Sequence, residues 1–156
     1  MNWEAIGAIG EIVGALAVVI SLIYLATQIR TQNTESRLAS IHEILVGFRE
    51  SLQVFASGDA AEIMARANED YDSLSNAETV KLICGIYPIL RVWEEAFIQY
   101  ENGRLEERVW VGINSQYASY LGYPSVARVW DLRKSHFDQS FQDMVQKLER
   151  TEVKIR

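Results

Sequence analysis

The chain has 156 residues but only one cysteine, two prolines and two histidines, and no Lys or Arg precedes Arg30. One cysteine cannot close a disulfide within the chain, so no oxidised framework holds the fold. Lys and Arg number 15 against 21 Asp and Glu, a formal charge of −6. The basic stripe that phosphate neutralisation needs is therefore missing, and nucleic acid is not an expected partner. There is no phosphate-binding glycine loop, no GxSxG and no CxxC pair. His42 does not begin an HExxH motif, because Val46 stands where the second His would be. Neither His42 nor His136 has a carboxylate three residues before it, as the di-iron helical bundles do. The sequence predicts no metal, no cofactor and no catalytic residue, so the protein is not expected to be an enzyme.

The absence of basic residues at the start coincides with a long apolar run. From Ala5 to Ile29 the sequence reads AIGAIGEIVGALAVVISLIYLATQI, and before Tyr24 its one ionisable side chain is Glu11. At ~1.5 Å per residue these 25 residues reach roughly 37 Å as a helix, against about 30 Å of hydrocarbon in a bilayer. A transmembrane helix is expected. A cleaved signal peptide would need a basic start, and the chain opens Met-Asn-Trp-Glu instead. Arg30, Arg37 and Arg49 follow the run, so the positive-inside bias places the C-terminal part in the cytoplasm and the N-terminus outside. Trp3 and Tyr24 suit the two interfaces. A reducing cytoplasm also agrees with the unpaired Cys84.

Gly7, Gly10, Gly14, Ala17 and Ser21 are spaced three, four, three and four. In lipid, where apolar surface gives no drive to associate, small residues let helices approach closely, so this stripe predicts a homo-oligomer interface. Glu11 lies about 9 Å along the helix from Ala5, inside the outer half of the bilayer, where an acidic group is costly. Protonation, snorkelling or a hydrogen bond from a neighbouring helix would relieve that cost. Alternatively, Glu11 lines an aqueous path in an oligomer, with Glu4 seven residues earlier forming a second acidic ring at its mouth, and acidic rings favour cations.

The expected fold is all-α: one N-terminal transmembrane helix, residues 1–30, continuing into a cytosolic bundle of five or six helices, residues 31–156. Leu38, Ile41, Leu45, Phe48, Leu52 and Phe55 recur at helical spacing and predict one apolar stripe. No Pro or Gly separates Arg30 from Val46, so the first helix is expected to run straight on as a stalk. Ser57-Gly58-Asp59 reads as a stop and a new cap, and Ala60 to Glu69 as a short helix. Ser75-Asn76-Ala77-Glu78 matches a capping box. The following helix carries Ile83, Ile86, Leu90, Trp93, Phe97 and Tyr100, with a kink expected at Pro88, eased by Gly85. It ends at Asn102-Gly103. Further helices are expected from about Glu106 to Tyr120 and from a Ser125 cap to about Ser135. Phe137, Phe141, Val145 and Leu148 make a last stripe, and Thr151 to Arg156 are expected to fray.

Three segments, NWEAIGAIGEIVGALAVVISLIYLATQIR, LRVWEEAFIQYENGRLEERVW and VWDLRKSHFDQSFQDMV, resemble a widespread group of short bacterial proteins that combine one N-terminal span with a small cytosolic helical domain. The resemblance covers most of the chain and is most specific at the N-terminus. It implies a topology, with the single span in the cell inner membrane. It implies no activity and carries no functional residues.

Glu94 and Glu95 follow Trp93 in a segment that also holds Arg91, Tyr100 and Glu101. Adjacent helical residues point about 100° apart, so one is expected to be buried against an Arg such as Arg91 or Arg128, and the alternative is an acid and base pair. Cys84 is expected to be a buried structural thiol. Trp93, Trp110 and Trp130 are expected in the core or at a subunit contact. Two functions follow: a self-associating membrane-anchored scaffold, cation-conducting if Glu11 faces inward, or a monomeric anchored adaptor or ligand-binding module.

Overall fold

The computed structural model describes residues 2–56 and 58–148. The expectations for Ser57 and for the 151–156 tail lie outside the described residues. All regular structure among them is helical: α1 Trp3–Ala56, α2 Ala60–Glu69, α3 Asn76–Glu101, α4 Glu107–Tyr120, α5 Pro124–Arg133 and α6 Gln139–Gln146, with 3-10 turns at Tyr71–Ser73 and Lys134–His136. The chain forms two compact units that divide between Ala39 and Ser40.

The first unit is the N-terminal part of α1. By length and composition α1 is long and apolar enough to cross a bilayer, and no residue of its most apolar stretch is buried in the protein. Ile9, Ile12, Leu16, Ile20 and Ile23 are all exposed. Its hydroxyls are satisfied within the helix: Ser21 donates to the Ala17 carbonyl at 2.8 Å and Thr27 to that of Tyr24 at 2.7 Å. Local bonding of this kind satisfies these two hydroxyls without a partner from outside the helix.

The second unit is built around α3. Ser75 accepts from the Glu78 amide at 3.3 Å and Glu78 accepts from the Ser75 amide at 2.9 Å, completing the expected capping box. The helix is continuous through Pro88 and ends where Gly103, at φ 67°, takes the left-handed conformation that favours glycine. Leu82, Ile86, Leu90, Trp93 and Phe97 form its buried stripe, against which α2, α4 and α5 pack. Trp93 is the centre: its ring stacks on Tyr117 at 5.5 Å and meets Phe141 edge-on at 5.2 Å, while its Nε1 donates to Asn114 at 3.2 Å. Trp110 and Trp130 are also buried. Arrangements of this kind add attraction beyond buried area.

Two local expectations are corrected. The C-terminal part of α1 does not bury its leucines: Leu38 and Leu45 are 63% and 56% exposed, while Ser40, Ile44 and Ser51 are buried. Close approach is the reason, since a Cβ added at Gly47 would lie 3.1 Å from Val92 Cγ2. Small residues occupy the line of contact, and Ile41, Phe48 and Phe55 close its edges. Beyond its expected place beside Pro88, Gly85 also serves packing, because a Cβ there would meet Phe55 Cζ at 2.9 Å. Finally, Ser125 is not the cap of α5. Tyr123 holds that position with Pro124 in the first turn, and the Ser125 amide is met instead by Asn68 Oδ1 from α2 at 3.0 Å. A side chain 57 residues away supplies what local capping usually does.

Candidate functional site

Four places that could carry chemistry differ sharply in what surrounds them. On α1, a Cβ added at Gly7, Gly10 or Gly14 would meet nothing within 4 Å, and Ala17 and Ser21 are exposed as well. The stripe is thus uncovered by the chain itself. At ~100° per residue, Glu11 and Glu4 lie about 80° and 100° round the helix from the stripe's mean direction. They border the small residues rather than interrupt them, and both are exposed.

The carboxylate pair divides as the helix geometry requires. Glu95 is exposed and Glu94 is buried. Glu94 forms an ion pair with Arg91, and its Oε1 accepts from the Asp138 amide at 2.6 Å. Arg91 also lies 5.3 Å over the Phe137 ring and donates to the His136 carbonyl at 3.5 Å. Asp138 in turn accepts from the Ser140 amide at 2.8 Å as the cap of α6, and the Ser140 side chain and amide hold its carboxyl below the usual range. Both glutamates line a shallow depression of about 340 Å³. With both Glu94 oxygens engaged, the group acts as a latch that fastens the start of α6 to α3.

Cys84 corrects the expectation of a buried thiol, because it is exposed. The core face of α3 passes through Leu82, Gly85, Ile86 and Ile89, and position 84 falls about 200° from Leu82. The thiol lines an open groove with Tyr87, Pro88, Arg133 and His136. His42 is exposed on another element, and among the described residues no three His, Cys, Asp or Glu side chains gather as metal ligands.

The fourth place escaped the sequence reading. A cavity of about 230 Å³ lies among α1 to α5 within the second unit, lined by residues including Phe55, Met64, Ile86, Tyr117, Tyr120 and Val126. No charged side chain lines it. Tyr120 accepts a bond from Gln116 Nε2 at 3.4 Å, whereas the buried Tyr117 hydroxyl has no protein partner. Desolvation, with a smaller effect from Tyr120, pushes the Tyr117 phenol well above its ordinary value. The tyrosines at 117, 120 and 123 were the visible trace of this lining, but nothing in their spacing distinguishes a cavity wall from a filled core. Compared with protein families, with curated proteins and with solved structures, the chain matches none of them.

Proposed function

We propose that the protein is a bacterial inner-membrane protein that crosses the bilayer once through the start of α1, and that it self-associates there through Gly7, Gly10, Gly14, Ala17 and Ser21. Its N-terminus lies outside, its helical domain is cytoplasmic, and it works as a scaffold that clusters those domains rather than as an enzyme. It belongs on this reading with the short bacterial proteins it resembles. The observation that carries it is a long apolar helix whose side chains and small-residue stripe the chain leaves uncovered. In lipid that exposure is favourable, and close backbone approach at the glycines supplies the contact. In this arrangement Glu11 sits beside the contact, where a hydrogen bond across the pair lowers the cost of an acidic group in lipid.

Subunit counting in lipid nanodiscs tests this reading. The wild type is expected as an oligomer and Gly10→Leu with Gly14→Leu as a monomer; a wild-type monomer would overturn it. The conducting form makes a separate prediction, that Glu11→Gln alters a cation current in planar bilayers, and an absent or unaltered current rejects it. A monomeric anchored ligand-binding module is the second reading, favoured by the apolar cavity of about 230 Å³.

A further inference from the structure

Every Lys and Arg among the described residues is exposed except Arg133, which is half-buried. It is also without a counter-charge. Arg66 pairs with Glu78, Lys81 with Asp59, Arg91 with Glu94 and Lys134 with Asp131, whereas among the described residues no carboxylate pairs with Arg133. Nor does its guanidinium lie over a ring, as those of Arg91 and Arg128 do. Asp138, two residues beyond His136, is engaged as the cap of α6. A guanidinium drawn part-way out of water with no partner carries a desolvation cost that an anion would offset.

Arg133 lines the open groove beside Cys84, a space of about 400 Å³ whose wall is otherwise Ile83, Tyr87, Pro88 and His136. No acidic side chain stands in that wall. We infer that this groove binds a small aromatic carboxylate, its two oxygens on the Arg133 guanidinium and its ring against Tyr87 and Pro88. All the residues involved lie in the second unit, so the inference stands whether or not α1 spans a bilayer or self-associates.

Charge and shape both select the carboxylate. The planar guanidinium offers paired N–H donors that match two carboxylate oxygens. A phosphate, with nearly twice the charge, would need a second cation, and Lys134 is already taken by Asp131. The apolar part of the wall is fixed in place. Tyr87 is set edge-on to Phe137 at 5.5 Å and to the His136 ring at 6.2 Å, and the His136 carbonyl accepts from Arg91 at 3.5 Å. A flat ring finds an aromatic face there without the wall having to reorder. The volume lies within the range of small-molecule sites, about 300–1,000 Å³.

Cys84, the one cysteine of the chain, stands in the same wall and reports occupancy. The full-length protein in detergent is alkylated with iodoacetamide while naphthoate, the matching neutral naphthamide or acetate is titrated in, and each rate is divided by the ligand-free rate of the same protein. Naphthoate is expected to slow alkylation saturably and at lower concentration than naphthamide, with acetate leaving the rate unchanged. Arg133→Gln should weaken protection by naphthoate about tenfold, as for loss of a charged hydrogen-bonded pair, and leave naphthamide as it was; Arg133→Lys, which keeps the charge without the fork, should fall between. Equilibrium dialysis of naphthoate against Cys84→Ser should show binding retained. The proposal is overturned if naphthamide protects as well as naphthoate in the wild type, if slowing never saturates, or if folded Arg133→Gln keeps the wild-type preference for the acid.

Discussion

The two units of this chain are both helical and both rich in large apolar side chains, yet they dispose of them in opposite ways. In residues 6–39 the apolar side chains are exposed on every side of one helix. In the second unit they converge on α3, with Trp93, Ala96, Val129, Phe141 and Val145 fully buried. Apolar content therefore says little by itself. What distinguishes the units is whether apolar positions fall on one stripe with polar residues opposite, or all round the helix. The first pattern builds its own core; the second leaves its apolar surface uncovered by the chain.

The contrast is sharpest for large side chains. Trp93→Ala is expected to destabilise the second unit by about 3–5 kcal/mol through transfer and cavity terms, measured by chemical denaturation in detergent. Leu16→Ala, on the exposed helix, should leave that transition in place. Glu94→Ala follows at about 2–3 kcal/mol, because it strands the Asp138 amide and removes the partner of the half-exposed Arg91. Gly85→Ala gains helix propensity but forces Phe55 outward, for a net loss of about 1 kcal/mol by the same assay. A gain in stability would show that Phe55 moves freely.

In the second unit, stability should also depend on pH. The Ser75 amide, then Arg66 and the Ser75 hydroxyl, hold the Glu78 carboxyl down from 4.5 to about 2. A carboxyl lowered in the folded state stabilises fully above 4.5 and loses that contribution as pH falls towards 2. Denaturation midpoints should therefore drop across that window, and Glu78→Gln should lower the midpoint at neutral pH and flatten the drop. The smallest effect concerns Cys84, which should react with a thiol reagent in the native protein at the rate of a free thiol. Reaction only after unfolding would restore the buried assignment.

What the sequence made legible was local. The Ala60–Glu69 helix, the Ser75 and Glu78 box, the Asn102-Gly103 stop and the apolar stripes of α3 and α6 all rest on neighbours within a few turns. The pairing of Glu94 with an Arg was legible for the same reason, since Arg91 is one turn away. Its second partner, Asp138, lies 44 residues on and left no sign. The leucines of α1 misled because hydrophobicity favours Leu45 over Ser40 and Gly47, whereas the close approach to Val92 selects small residues. The cavity stayed invisible because a gap is a property of how five helices meet.

Whether the start of α1 crosses a bilayer can be read directly through the exposed Cys84. A membrane-impermeant maleimide is applied to intact spheroplasts carrying either the natural Cys84 or, in a Cys84→Ser background, Asn2→Cys. Labelling of Asn2→Cys before lysis and of Cys84 only after it is the predicted result; labelling of Cys84 in intact cells, or of neither site until lysis, would contradict the proposed crossing.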